Sequence, residues 1–146
     1  MNSTEIGNIQ VIRKYFAGCN SGNVEELLAT LAPGVTHYFL PSSFPPISGA
    51  EHLAKYWLKY KQALNPVWAI DHIIARDAEV VSEWSCIWSP PGSSDRFMNR
   101  GTEWYIMHEG RIAEVRAYFI ADPVSYSELA TFPYADRGYL LSDGIA

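Results

Sequence analysis

RGTEWYIMHEGRIAEVRAYF, residues 100–119, holds two runs of β-forming residues around His108-Glu109-Gly110. A tight hairpin needs positive φ in its turn, and Gly110 stands where one would supply it. The stretch therefore predicts antiparallel strands over 97–107 and 111–120. One charge stands out in it. Glu103 sits among Thr102, Trp104, Tyr105, Ile106 and Met107, and a carboxylate is costly in apolar company unless something compensates it. The hairpin register decides its surroundings. A two-residue loop sets Glu103 on one face with Arg116. A three-residue loop ending at Gly110 sets it with Val115, Ala117 and Phe119, because a one-residue slip exchanges the faces.

Working outward, VWAIDHIIA (67–75) and VVSEWSCIW (80–88) have strand composition, and PPGSSD (90–95) is a turn. Upstream the period changes. Ile6, Ile9, Ile12, Phe16 and Cys19 recur at helical spacing over 5–19, and Asn20-Ser21-Gly22 ends that helix. Asn23 with Glu26 resembles a capping box, opening a short helix through Leu27, Leu28 and Leu31 that Pro33-Gly34 closes. VTHYFL (35–40) reads as a strand and PSSFPPISG (41–49) as a loop. Ser48 and Glu51 suggest a second capping box, for a helix to about Ala63. Residues 121–146 are irregular, with a short helix expected at 125–131. Helices first and an antiparallel meander after them predict an α+β fold, with about three helices on one face of a curved, mostly antiparallel sheet.

The bulk properties narrow the function classes. A chain of 146 residues, 48% hydrophobic and 14% aromatic, suits one domain over 1–146 with a core at about 5–120. A net charge of −5 without a basic run argues against nucleic-acid or anionic-membrane partners. Cys19 and Cys86 lie far apart without CxxC spacing, so reduced thiols in a cytoplasmic protein are expected. The four histidines lack metal-ligand spacing, and no nucleotide or hydrolase motif occurs. Both faces of the strands carry bulk. A sheet face left in water is usually more polar, so the outer face is expected to meet a second copy or the tail carrying Phe132, Tyr134 and Tyr139.

Three segments, RKYFAGCNSGNVEELLATLAPGVTHYFLP, SGAEHLAKYW and RGTEWYIMHEGRIAEVRAYF, together resemble the nuclear-transport-factor-2-like superfamily in its ketosteroid-isomerase and SnoaL-like branch. The resemblance covers about 5–120. It implies a cone of helices against a bent sheet, a deep pocket, homodimers and no cofactor. That fold hosts isomerases, cyclases, dehydratases, epoxide hydrolases and binding proteins. In ketosteroid isomerase an aspartate base works with a tyrosine and a protonated aspartic acid that stabilise an oxyanion. By resemblance Tyr15 falls on that tyrosine and Glu103 on the protonated carboxyl. The base position falls on Phe39, which accepts no proton.

A displaced base must lie within reach of the substrate. His37 shares a strand face with Phe39 and is the first candidate. Glu83 is the second. A hairpin centred near Ser93 sets Glu83 across from Glu103, and two close carboxyls hold a proton between them. Asp71 and His72 are adjacent on a strand, so at most one is expected to enter the pocket. Asp122 ends the last strand, and His52 and His108 read as surface residues. Tyr15 and Phe16 are neighbours, so only one is expected to point fully inward. Phe39, Tyr56, Trp57, Tyr105, Val115 and Phe119 are the expected walls, suited to an apolar, cyclic small molecule. The Arg-x-Asp pattern of limonene-epoxide-hydrolase relatives is replaced by Arg100-Gly101-Thr102. The expected activity is therefore proton transfer next to a carbonyl, by an isomerase, cyclase or dehydratase. The alternative is a non-catalytic binding module of the same fold.

Overall fold

The computed structural model describes residues 1–40 and 44–119. Asp122, the helix expected at 125–131 and the covering role of the tail lie outside the described residues. The first helix, α1 (Ser3–Ser21), starts at a reciprocal capping box in which Asn2 and Glu5 each bond the other's backbone amide at 2.9 Å. It ends at Gly22 with φ 69°, a left-handed position that glycine adopts without strain.

The next helix, α2 (Val24–Leu28), is shorter than expected. Asn23 caps it by accepting from the Glu26 amide, but the Glu26 carboxylate turns to Ser21 Oγ at 3.0 Å. Only half of the expected box forms. Leu31, expected in this helix, instead opens β1 (Leu31–Leu40). The Ile112 amide donates to the Thr30 carbonyl at 2.9 Å, so sheet pairing captures the chain before Pro33. β2 (Ile47–Ser48) is a short edge strand. Helix α3 (Ala50–Leu64) is capped by Gly49 with no side-chain bond. The expected Ser48–Glu51 box is absent because Ser48 belongs to the sheet, its hydroxyl 3.4 Å from that of Thr36.

The remaining strands are β3 (Val67–Arg76), β4 (Glu79–Trp88), β5 (Phe97–His108) and β6 (Arg111–Phe119). The sheet order is β2-β1-β6-β5-β4-β3, with β1 parallel to β6 and the other neighbours antiparallel. Three helices thus pack on one face of a mostly antiparallel sheet, as expected. Tyr15 and Phe16 are both buried, against the expectation that only one would be. Tyr15 meets Tyr105 and Phe16 meets Trp68, each edge to face, so two residues 100° apart on α1 both find the sheet. On the outer face Tyr38, Trp104 and Tyr118 remain more than a third exposed.

The β5–β6 register combines the two expected alternatives. His108 pairs with Arg111, so the loop has two residues, Glu109 and Gly110, both at positive φ. The register then slips between Ile106 and Met107, leaving Ala113 as an extra residue, and Glu103 comes opposite Ala117. A β-bulge therefore delivers the three-residue register from a two-residue turn. Arg116 goes to the outer face, its guanidinium 5.7 Å over the Trp104 ring.

Candidate functional site

A cavity of about 270 Å³ opens between α3 and the inner sheet face. His37, Phe39, Tyr56, Trp57, Glu103 and Phe119 are among its lining residues. Two cross-strand rows underlie it. One runs Phe39, Ala117, Glu103, Ser82, and the next runs His37, Val115, Tyr105. Of the expected walls, Tyr105 and Val115 are fully buried and lie outside the cavity lining.

Glu103 is 4% exposed. Its partner is the Tyr105 hydroxyl, which donates to Oε2. With that proton committed, the Ser82 hydroxyl, 3.1 Å away, must be the donor to Tyr105. A directed chain from Ser82 through Tyr105 to Glu103 results. Burial, then the adjacent Glu103, push the Tyr105 phenol well above its ordinary range, which keeps it a donor. The other oxygen, Oε1, lies 3.8 Å from His37 Nε2. That gap is too wide for a direct hydrogen bond but suits one oxygen atom bridging both groups. Neither ring nitrogen of His37 has a hydrogen-bond partner among the described residues. The imidazole is packed between Phe39 at 4.4 Å and Trp57 at 5.6 Å, centroid to centroid.

Tyr15 sits one layer deeper. Its hydroxyl accepts from Trp57 Nε1 at 2.6 Å, and burial is the main cause that raises its phenol well above the ordinary range. It neither lines the cavity nor hydrogen-bonds Glu103. The residue that does bond Glu103 is Tyr105, two positions along the same strand.

Glu83 does not face Glu103. The pairing is offset by one residue from the expected one, so Ser82 opposes Glu103 while Glu83 opposes Thr102 on the outer face. There Glu83 meets Arg100 Nη2 at 3.2 Å. Arg100 Nη1 also pairs with Asp71 at 2.9 Å, and the Ser85 hydroxyl lies between them. Neither Asp71 nor His72 enters the cavity. The β3–β4 register shifts between Ile70 and His72, and that bulge breaks the alternation so that both turn to the outer face. Burial raises the Asp71 carboxyl, opposed by Ser85 and Arg100. His52 and His108 are exposed, as expected. Among the described residues no group of three His, Cys, Asp or Glu is placed to hold a metal ion.

Ser82 was not singled out from the sequence, although its place in the alternation Val80, Ser82, Trp84 marks it as inward. Asn99, Trp68 and Trp84 also line the cavity. Asn99 shares the inner face of β5 with Gly101 and Glu103, a relation that period-two spacing alone provides.

A family model described as the SnoaL-like domain matches residues 12–115. The chain belongs to the SnoaL-like domain family. Among solved structures this SnoaL-like protein is similar to one of cystatin-like fold from Methylobium petroleophilum PM1, with 28% identity, a TM-score of 0.71, and 93% of this chain and 92% of that chain covered. A SnoaL-like polyketide cyclase, provisionally so assigned, from Jannaschia sp. CCS1 gives 14% identity and a TM-score of 0.74 over 88% and 97% of the two chains. An LEH-like epoxide hydrolase of M. tuberculosis gives 17%, 0.73, and 86% of each. At these identities the last two likenesses show the fold alone. No curated protein matches the sequence. No helix among the described residues is long and apolar enough to cross a membrane.

Proposed function

We propose that this SnoaL-like protein is a cofactor-free enzyme that moves a proton next to a carbonyl on an apolar, cyclic small molecule, in an isomerisation, cyclisation or dehydration. The observation that carries this reading is the His37–Glu103 pair. A buried imidazole without a hydrogen-bond partner among the described residues stands 3.8 Å from a buried carboxyl oxygen, both on the floor of an aromatic cavity. Tyr105 occupies Oε2, so Oε1 is the oxygen left to carry the acid proton.

In the proposed step the substrate carbonyl oxygen accepts that proton as a hydrogen bond from Glu103 Oε1. A neutral His37 takes the α-proton at Nε2. The C–H electron pair forms the new C=C bond, and the carbonyl π pair moves to oxygen, giving an enolate that Glu103 stabilises. Return of the proton from His37 to another carbon completes an isomerisation. Loss of a β-hydroxyl completes a dehydration, with His37 giving its proton to the departing oxygen.

Phe39, 4.4 Å from the His37 ring at the position where the resemblance puts a base, favours the alternative of a binding module. Proton exchange separates the two readings. With 1-tetralone in D₂O, the protein should speed loss of the α-proton signal. His37→Gln should cost about 10²–10⁴ of that acceleration, and Glu103→Ala about 10²–10³. Binding without exchange would leave the binding module. The exposed Tyr38, Trp104 and Tyr118 support a homodimer through the outer face, and the free thiols of Cys19 and Cys86 support a cytoplasmic protein. Sedimentation at micromolar concentration giving a monomer mass would refute the dimer.

A further inference from the structure

Three further buried polar atoms without a hydrogen-bond partner among the described residues belong to cavity-lining side chains. They are Trp68 Nε1, Trp84 Nε1 and Asn99 Oδ1. Buried polar groups are normally paired, so three on the walls of one cavity ask for a common explanation. Their residues lie one or two cross-strand rows from Glu103. Asn99 and Glu103 both face inward on β5 and are four residues apart, a span of about 13 Å along a strand. Trp68 is in the cross-strand row of Asn99, joined to it through Cys86. Trp84 lies one row nearer Glu103, its ring 4.9 Å from that of Trp68.

Each tryptophan has a neighbour that positions it. The Trp68 backbone is clamped to α1 by Asn20, which accepts from its amide at 2.7 Å and donates to its carbonyl at 2.9 Å. The Trp84 ring lies on Gly101, where a Cβ would come within 2.8 Å of Cε2.

We propose that this end of the cavity binds a hydroxyl group of the ligand. Two N–H donors and one carbonyl acceptor are the complement of a hydroxyl, whose oxygen accepts two hydrogen bonds while its proton donates one. A carbonyl or ether oxygen there leaves Asn99 Oδ1 unpaired. A carboxylate sets like partial charges against it. This inference rests on the reading of the cavity as a carbonyl site at its His37–Glu103 end. Together the two ends define a ligand class: a flat two-ring ketone with a hydroxyl on the ring remote from the carbonyl. A cavity of about 270 Å³ holds on the order of ten to fifteen non-hydrogen atoms at interior packing density. All three atoms are closed to solvent in the empty cavity, so seating the hydroxyl requires these wall side chains to turn toward it.

The test is calorimetric binding of 6-hydroxy-1-tetralone, 6-methoxy-1-tetralone and 1-tetralone to the whole chain. The hydroxy compound should bind about tenfold more tightly than the other two. Asn99→Leu and Trp68→Phe, made separately, should each reduce that ratio to about threefold or less. Trp84→Phe should do the same, and circular dichroism reports whether each variant is folded. His37→Gln should keep the hydroxyl preference while losing proton exchange, so the two proposals fail separately. Exchange without a hydroxyl preference overturns this inference alone; a hydroxyl preference without exchange overturns only the catalytic reading. Equal binding of the three probes, no binding of 6-hydroxy-1-tetralone, or a preference that survives all three wall substitutions overturns the hydroxyl site.

Discussion

Tyr105→Phe removes one oxygen atom and keeps the ring. Tyr105 is 0% exposed, its ring meets Tyr15 edge to face at 6.5 Å, and phenylalanine preserves that contact. The substitution leaves Glu103 Oε2 and Ser82 Oγ buried without their partner. A buried polar group left unsatisfied costs about 1–3 kcal/mol, and two are left here. A loss of about 2–4 kcal/mol is therefore expected, which lowers Tm by roughly 5–15 °C for a chain of this length. Thermal melts followed by near-UV circular dichroism measure it. Ser82→Ala, alone and combined with Tyr105→Phe, completes a double-mutant cycle, where a coupling of about 1 kcal/mol or more is expected for groups in one network. The variant should also lose proton exchange through kcat, because Oε1 is no longer the one oxygen free to carry the proton. A tyrosine that served only as an apolar wall would lose nothing as phenylalanine. A change within about 0.5 kcal/mol with unaltered exchange would refute the directed chain.

Gly101→Ala forces a Cβ against the buried Trp84 ring and should cost about 1–3 kcal/mol, visible as a lower urea midpoint and a changed tryptophan near-UV signal. Arg100→Met leaves Asp71, whose side chain is 2% exposed, without its cation, at about 3–5 kcal/mol near pH 7. Burial already raises the Asp71 carboxyl. A raised folded-state pKa contributes stability that is present below the unfolded value of about 3.9 and lost as pH rises. The deficit of Arg100→Met should accordingly shrink as pH falls toward 4, and a pH-independent deficit would contradict the ion pair. Burial pushes the Cys19 and Cys86 thiols up, so neither should react with Ellman's reagent at pH 8 until urea unfolds the chain. The same sign makes stability fall as pH climbs through about 8.5 and above, where the unfolded thiols ionise.

Local sequence determined most of the element inventory, the edge strand β2 within the expected loop 41–49 and the early start of β1 at Leu31 excepted. The helical spacing of Ile9, Ile12 and Phe16, the Asn20-Ser21-Gly22 stop and the β-rich runs after Pro66 each encode their structure within a few residues, through periodicity and backbone freedom. Period-two alternation also placed His37 with Phe39, and Glu103 with Tyr105. What local sequence left open was every relation between strands. A bulge at Ala113 sent Arg116 outward and Glu103 inward, and a bulge at Asp71 sent that carboxylate to Arg100. A one-residue offset exchanged Glu83 for Ser82 opposite Glu103. Each displaces the pairing by one residue, which costs little along the chain yet reverses which face a side chain occupies. The choice is made by burial: Val115 and Ala117 reach the core only in the observed register. The same packing drew Tyr15 to Trp57 and left Tyr105 to hold Glu103. The carboxyl group, the imidazole and their common strand faces were legible in the sequence. The gap of 3.8 Å between them exists only because six strands, with register shifts in three of their pairings, closed around one core.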